Sequence, residues 1–152
     1  MLISQDEIRL KILNVKDRVD NPTADLIKTI ALFGKSRFKI IIIEGILSTH
    51  KYKNMLSDLV SSFKYNSYLY YFDIPFEETF RRHNTRYKSS LWGEETMKHW
   101  WLEKDYLRLG NEKTINCDLT EKDILKMILD VWNIGLSIVL LQSFHVSNLS
   151  VK

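Results

Sequence analysis

The stretch "ALFGKSRFKIIIIEGIL", residues 31–47, decides the fold. Residues 38–43 read as a strand whose β-branched run, Ile40 to Ile43, does not alternate, the pattern of a strand covered on both faces, as in a parallel sheet between helix layers. The same stretch holds Gly34-Lys35-Ser36, the three residues that close the phosphate-cradling loop of nucleotide-binding proteins. That loop needs a further glycine five residues before the Gly-Lys pair, so that backbone N–H groups can wrap the phosphates. Position 29 is Thr29. The order is also inverted: such a loop leaves a strand and opens a helix, whereas here a helical pattern leads to Gly34 and a strand follows. Gly34 reads instead as the cap of a helix, with basic loop residues after it.

Working outward, residues 1–4, 67–72 and 113–117 also read as strands. Stretches of more than twenty residues with helical character lie between them, each long enough for the crossover that joins parallel strands. The expected class is therefore α/β, a parallel sheet flanked by helices. A chain of 152 residues, 45% hydrophobic and 27% charged, suits one well-buried core. Twenty-two basic against 19 acidic side chains give a net charge of +3, too small by itself to imply nucleic acid. One cysteine, Cys117, forms no internal disulfide, and the start lacks the pattern of a secretory signal, so a reducing cytoplasm is the expected home.

"SQDE" sets Ser4 three residues before Glu7, a capping-box spacing that opens a helix after the first strand, with Asp6 and Arg9 on its first turn. "IPFEETFRRHNTR" places Pro75 near a helix start, Glu77 and Glu78 in the positive first turn, and Phe76 with Phe80 on one inward stripe. Arg82 and Arg86, four apart, share a face. "GEETMKHWWLEKDYL" predicts a helix over 93–107, with Met97 and Trp101 aligned and Glu94 four residues before Lys98. Asp6, Glu44 and Asp73 all fall just past the carboxyl end of a strand, the edge where open parallel sheets bind ligands.

Together "LISQDEIR", "IIIIEGIL", "YYFDIPFEETFRRHNTR", "WGEETMKHWWLEKDYL" and "EKTINCDLTEKDILKMIL" resemble small P-loop kinases, nearest to uncharacterised bacterial ones akin to polynucleotide kinases and zeta-type toxins. The resemblance runs from residue 1 to about 132. It implies an ATP-dependent phosphotransferase acting on an unknown hydroxyl acceptor, a small molecule or a polynucleotide end. By resemblance Asp6 would be the acceptor-side base, with Arg9 beside it. Glu44 would serve Mg²⁺ through its water shell, Arg82 and Arg86 would stabilise the transferred phosphoryl group, and residues of about 82–108 would form the lid.

The resemblance also implies a departure, since such kinases begin with a strand and its G-x-x-x-x-G-K-S/T loop, whereas residue 1 already matches their second strand. The expectation is a domain truncated at its amino terminus, with a gap between strands or an exposed edge, poor ATP binding and slow transfer or none. An overlooked upstream start, a damaged gene and a shortened binding protein would each produce such a chain. Residues 133–152 lie outside the resemblance. Their apolar "IGLSIVLL" is too short for a membrane span and suits a last strand, a packed end or a disordered one.

Two rival readings are non-catalytic. A nucleic-acid module would use Arg81, Arg82, His83, Arg86 and Lys88 beside Tyr87, Trp92, Trp100 and Trp101. An interaction protein would use an open sheet edge or the tail. Resident-metal chemistry has little support, because His50, His83, His99 and His145 show no ligand spacing, and no G-x-S-x-G elbow supports a serine hydrolase.

Overall fold

A computed structural model of the chain describes residues 1–85, 92–110, 112–130 and 137–142. These form a five-stranded, wholly parallel sheet flanked by helices. Strand β1 (Leu2–Ser4) leads through a π-helical segment (Glu7–Ile12) and helix α1 (Thr23–Gly34) to β2 (Ile40–Gly45). Helix α2 (Thr49–Phe63) returns to β3 (Ser67–Phe72), and α3 (Phe76–Asn84) and α4 (Glu94–Trp100) precede β4 (Lys113–Ile115). Helix α5 (Glu121–Leu129) then leads to β5 (Ser137–Gln142). In space the order is β1-β2-β5-β3-β4.

The last strand is therefore the central one. Ile138 to Leu141 pair with Ile41 to Glu44 of β2 on one side and with Ser67 to Tyr70 of β3 on the other, and all six β5 residues are buried. This overturns the expected gap. Without β5, the inner edges of β2 and β3 would present unpaired N–H and C=O groups inside the fold, and the apolar tail supplies their partners. Alternation along β5 builds both cores. Ile138 and Leu140 join Ile41, Ile43, Ile27 and Leu59 under α1 and α2, while Val139 and Leu141 join Tyr70, Ile115 and Met127 under α5.

Two local expectations change. The Ser4–Glu7 capping box does not form: Asp6 is the cap residue, already helical at φ −68° and ψ −37°, and makes no side-chain cap bond. Ser4 instead remains in the strand in register with Glu44, and the Leu13 N–H reaches back five residues to the Ile8 carbonyl at 2.9 Å. The helix expected over 93–107 stops at Trp100, because residues beyond it are drawn into contacts with the sheet. Trp101 turns extended and sets its ring edge-on to Phe76 at 6.0 Å, and the Leu102 carbonyl accepts the Tyr71 hydroxyl at 3.1 Å. The face expected to be shared by Arg82 and Arg86 is not among these changes, because residue 86 lies outside the described residues. The expected Glu94–Lys98 pair is present at 3.0 Å, and Phe76 and Phe80 stack at 6.0 Å. Among the described residues no helix is long and apolar enough to cross a membrane.

Leu140 lies in register with Ile43 and Leu69 and is 3% exposed. Leu140→Ala should lower unfolding free energy by about 2–5 kcal/mol in urea titrations. An effect under about 1 kcal/mol would mean that β5 does not hold the centre of the sheet.

Candidate functional site at the carboxyl rim

Parallel strands put all their carboxyl ends on one rim, and two clusters of polar side chains gather there. The first lies over β1 and β2. Past Ser4 the chain turns so that Arg9 reaches back three residues to Asp6, closing an ion pair at 2.7 Å. The Arg9 side chain is mostly covered, and its buried Nε has no hydrogen-bond partner among the described residues. Asp6 is more open than Arg9, leaving a carboxylate edge facing water.

Glu44, the penultimate residue of β2, is buried beside them. Burial pushes its carboxyl above the usual range, the Asp6 and Glu7 charges push the same way, and a hydrogen bond with Ser4 opposes them. Gly45 follows at φ +145°, where a Cβ would lie 2.7 Å from that of Gln5, so only glycine lets Gln5 pass over the strand end. The Gln5 amide donates to the Tyr52 hydroxyl at 2.9 Å, and that hydroxyl donates to Asp17 at 2.7 Å. Burial and the Asp17 carboxylate push Tyr52 up to about 12, so it remains a donor at neutral pH.

The second cluster is a strap, residues 101–109, drawn across the ends of β5 and β3. Asp105 is its knot. Its carboxylate accepts the Thr49 N–H at the start of α2 (2.9 Å), the Thr49 hydroxyl and the Gln142 amide (3.1 Å), while its own N–H donates to the Tyr71 hydroxyl. A carboxylate at the N-terminus of a fifteen-residue helix satisfies a free donor and complements the helix dipole. The Tyr106 hydroxyl donates to Asp73 at 2.7 Å, which holds that phenol up to about 12, and Leu107 is buried beneath. Leu47, Leu69, Leu107, Glu112 and Gln142 line a cavity of only about 10 Å³, room for one water.

Arg82 stands apart from the Asp6 cluster. Its Nε donates to Glu78 at 2.6 Å, and its other end reaches the Cys117 carbonyl at 3.4 Å. Glu78 also receives Arg81, and the two guanidiniums hold its carboxyl down to about 2. Asp6, Arg9 and Glu44 are thus brought together, Asp73 is committed to the strap, Arg82 to Glu78 and the Cys117 carbonyl, and Arg86 lies outside the described residues.

The ATP and Mg²⁺ implied by the resemblance do not fit the described residues. Gly34-Lys35-Ser36 lies before β2, at the opposite end of the sheet, and Lys35 donates to the Ser62 carbonyl at 2.6 Å. Residues 143–152, which come after β5 in the sequence, contain no glycine. Among the described residues no group of three or more His, Cys, Asp or Glu is placed to hold a metal ion. Burial pushes the Glu44 carboxyl above its ordinary range and Asp6 is engaged by Arg9, a poor donor set for a hard cation. Comparison with family models, curated proteins and solved structures returns no match.

A carboxyl raised by folding binds its proton more tightly in the folded chain than in the unfolded one. Its contribution is therefore favourable at acid pH and is lost as pH rises through the folded value. Glu44→Gln should raise the urea midpoint at pH 7, with the difference from wild type shrinking toward pH 4; a difference independent of pH would contradict the burial of its charge. Asp105→Ala should cost about 1–2 kcal/mol and raise amide exchange at both the α2 start and the strap. Exchange rising at α2 alone would show that the strap is held without the knot.

Proposed function

We propose that the chain is a phosphotransferase of the P-loop kinase kind that keeps acceptor-side groups and transfers phosphate slowly or not at all in this form. The observation that carries this reading is the placement of the Asp6–Arg9 pair and Glu44 together at the carboxyl ends of adjacent parallel strands. In this reading Asp6 accepts the proton of an acceptor hydroxyl, through the carboxylate edge that Arg9 leaves free. Arg9 fixes the orientation of that carboxylate through their ion pair. Arg82 would meet phosphoryl oxygens through its terminal nitrogens, with its Nε held by the Glu78 carboxylate, whose charge opposes an anion there.

ATP with Mg²⁺ is the donor pair of the resemblance and, where bound, would supply the γ-phosphoryl group and its charge neutralisation. The described residues lack the cradle for it, which is why the reading includes impairment. The alternative is a non-catalytic binding module, favoured by the strap that closes the rim above β5 and β3.

The test is a pair of measurements on the purified full chain. Radiolabelled ATP with Mg²⁺ and a panel of nucleosides, sugars and 5′-hydroxyl oligonucleotides should give turnover far below the roughly 1–100 per second usual for kinases. Turnover in that range would remove the impairment. An NMR titration with a nucleoside monophosphate should shift the amides of residues 5–9 and 44–45, and Asp6→Asn with Arg9→Gln should abolish those shifts. Shifts confined elsewhere would remove the acceptor site and leave the binding module.

A further inference from the structure

The opposite pole of the sheet carries a surface that the rim does not explain. Residues 35–39, between α1 and β2, and residues 64–66, between α2 and β3, both lie at the amino ends of parallel strands. They are neighbours in space: the Lys35 ammonium donates to the Ser62 carbonyl at 2.6 Å and sits 5.2 Å from the centre of the Phe63 ring.

Around this junction the side chains alternate cation and aromatic. The Arg37 guanidinium lies 4.0 Å from the centre of the Phe33 ring, and one of its nitrogens donates to the Phe33 carbonyl at 2.9 Å. Phe33 is 58% exposed, Phe38 42% and Tyr65 96%, while Lys39 and Lys64 are open to water. Lys64 adopts φ +54°, in the region that side chains avoid, at the turn that carries Tyr65 outward. A protein gains nothing in stability from a tyrosine left wholly in water.

The charge is one-sided. Residues 29–43 and 59–72 contain no Asp or Glu. Among the described residues no carboxylate pairs with Lys35, Arg37, Lys39 or Lys64. Asp58, a nearby acid on α2, is held by Lys28, and Asp130 follows α5 on the other face of the sheet.

We propose that this pole binds single-stranded nucleic acid, the cations meeting phosphates and Tyr65, Phe38 and the Arg37–Phe33 pair offering surfaces on which bases stack. A membrane would also meet cations and aromatics. Here, however, a guanidinium already lies over the Phe33 ring, and Ser36, Ser61 and Asn66 interleave polar groups among the rings. Such a surface suits a hydrated polyanion better than hydrocarbon. The inference is independent of the kinase reading, because it uses the other end of the sheet.

Fluorescence anisotropy of the full chain with a labelled oligothymidylate of roughly 20 nucleotides tests it. Four cations each neutralising one phosphate imply a slope of about −2.8 in log affinity against log salt, or about fifty-fold weakening between about 50 and 200 mM. Arg37→Glu with Lys39→Glu should weaken binding at least tenfold at the lower salt and flatten the slope. Tyr65→Ala should weaken it at least fivefold with little change in slope, and Arg81→Glu on the far rim should leave it unchanged. All these positions are exposed, and an unaltered urea midpoint shows that the fold is kept. Absence of binding at the lower salt, or binding indifferent to these variants, overturns the proposal. Sedimentation with phosphatidylserine vesicles without oligonucleotide binding overturns it in favour of a membrane.

Discussion

The whole structure depends on backbone hydrogen bonding of β5 to two partners at once. A parallel sheet whose second and third strands run on either side of an empty lane would not close. The helices above and below would have no floor, and the facing edges of β2 and β3 would expose polar groups to an apolar interior. The six residues Ser137–Gln142 remove both faults together, pairing with each edge and filling the two cores with alternate side chains. The strand that comes last in the chain thereby sets the spacing of everything earlier.

That dependence explains what was legible in the sequence and what was not. The isoleucine run marked β2 because a strand buried on both faces has no alternation, and β1, β3 and β4 were visible through their turns and crossovers. The tail's apolar residues fitted a strand equally well, but nothing in "IGLSIVLL" tells a central lane from an edge. Lane choice is a property of two partners far away in sequence. The helix over 93–107 failed for a related reason. Its local pattern is helical, and tertiary contacts of Trp101, Asp105 and Leu107 outweigh that propensity after Trp100.

At the rim, legibility followed sequence distance in the same way. The Asp6–Arg9 pair was readable because three residues on a turn bring side chains together, and Glu44 because a strand end places it. Tyr52 with Asp17, Asp105 with Thr49 and Tyr106 with Asp73 were not, since each joins elements about 30 to 60 residues apart. The capping box was misread because Ser4 has a second role: a strand residue held in register with Glu44 is not free to cap the turn that follows.

The two poles share one electrostatic cause. In a parallel sheet the connecting helices run back against the strands, so their N-termini gather at the carboxyl rim and their C-termini at the amino pole. Glu77 and Glu78 on α3, Glu121 and Asp123 on α5 and the Asp105 knot on α2 follow that polarity, as do Lys35 after α1 and Lys64 after α2. Helix dipoles thus account for the sign of charge at each end. They do not account for the aromatics, because Phe33, Phe38 and Tyr65 gain nothing from a dipole and lose burial where they stand. The charges belong to the architecture; the exposed rings between them are the part that the fold has no use for.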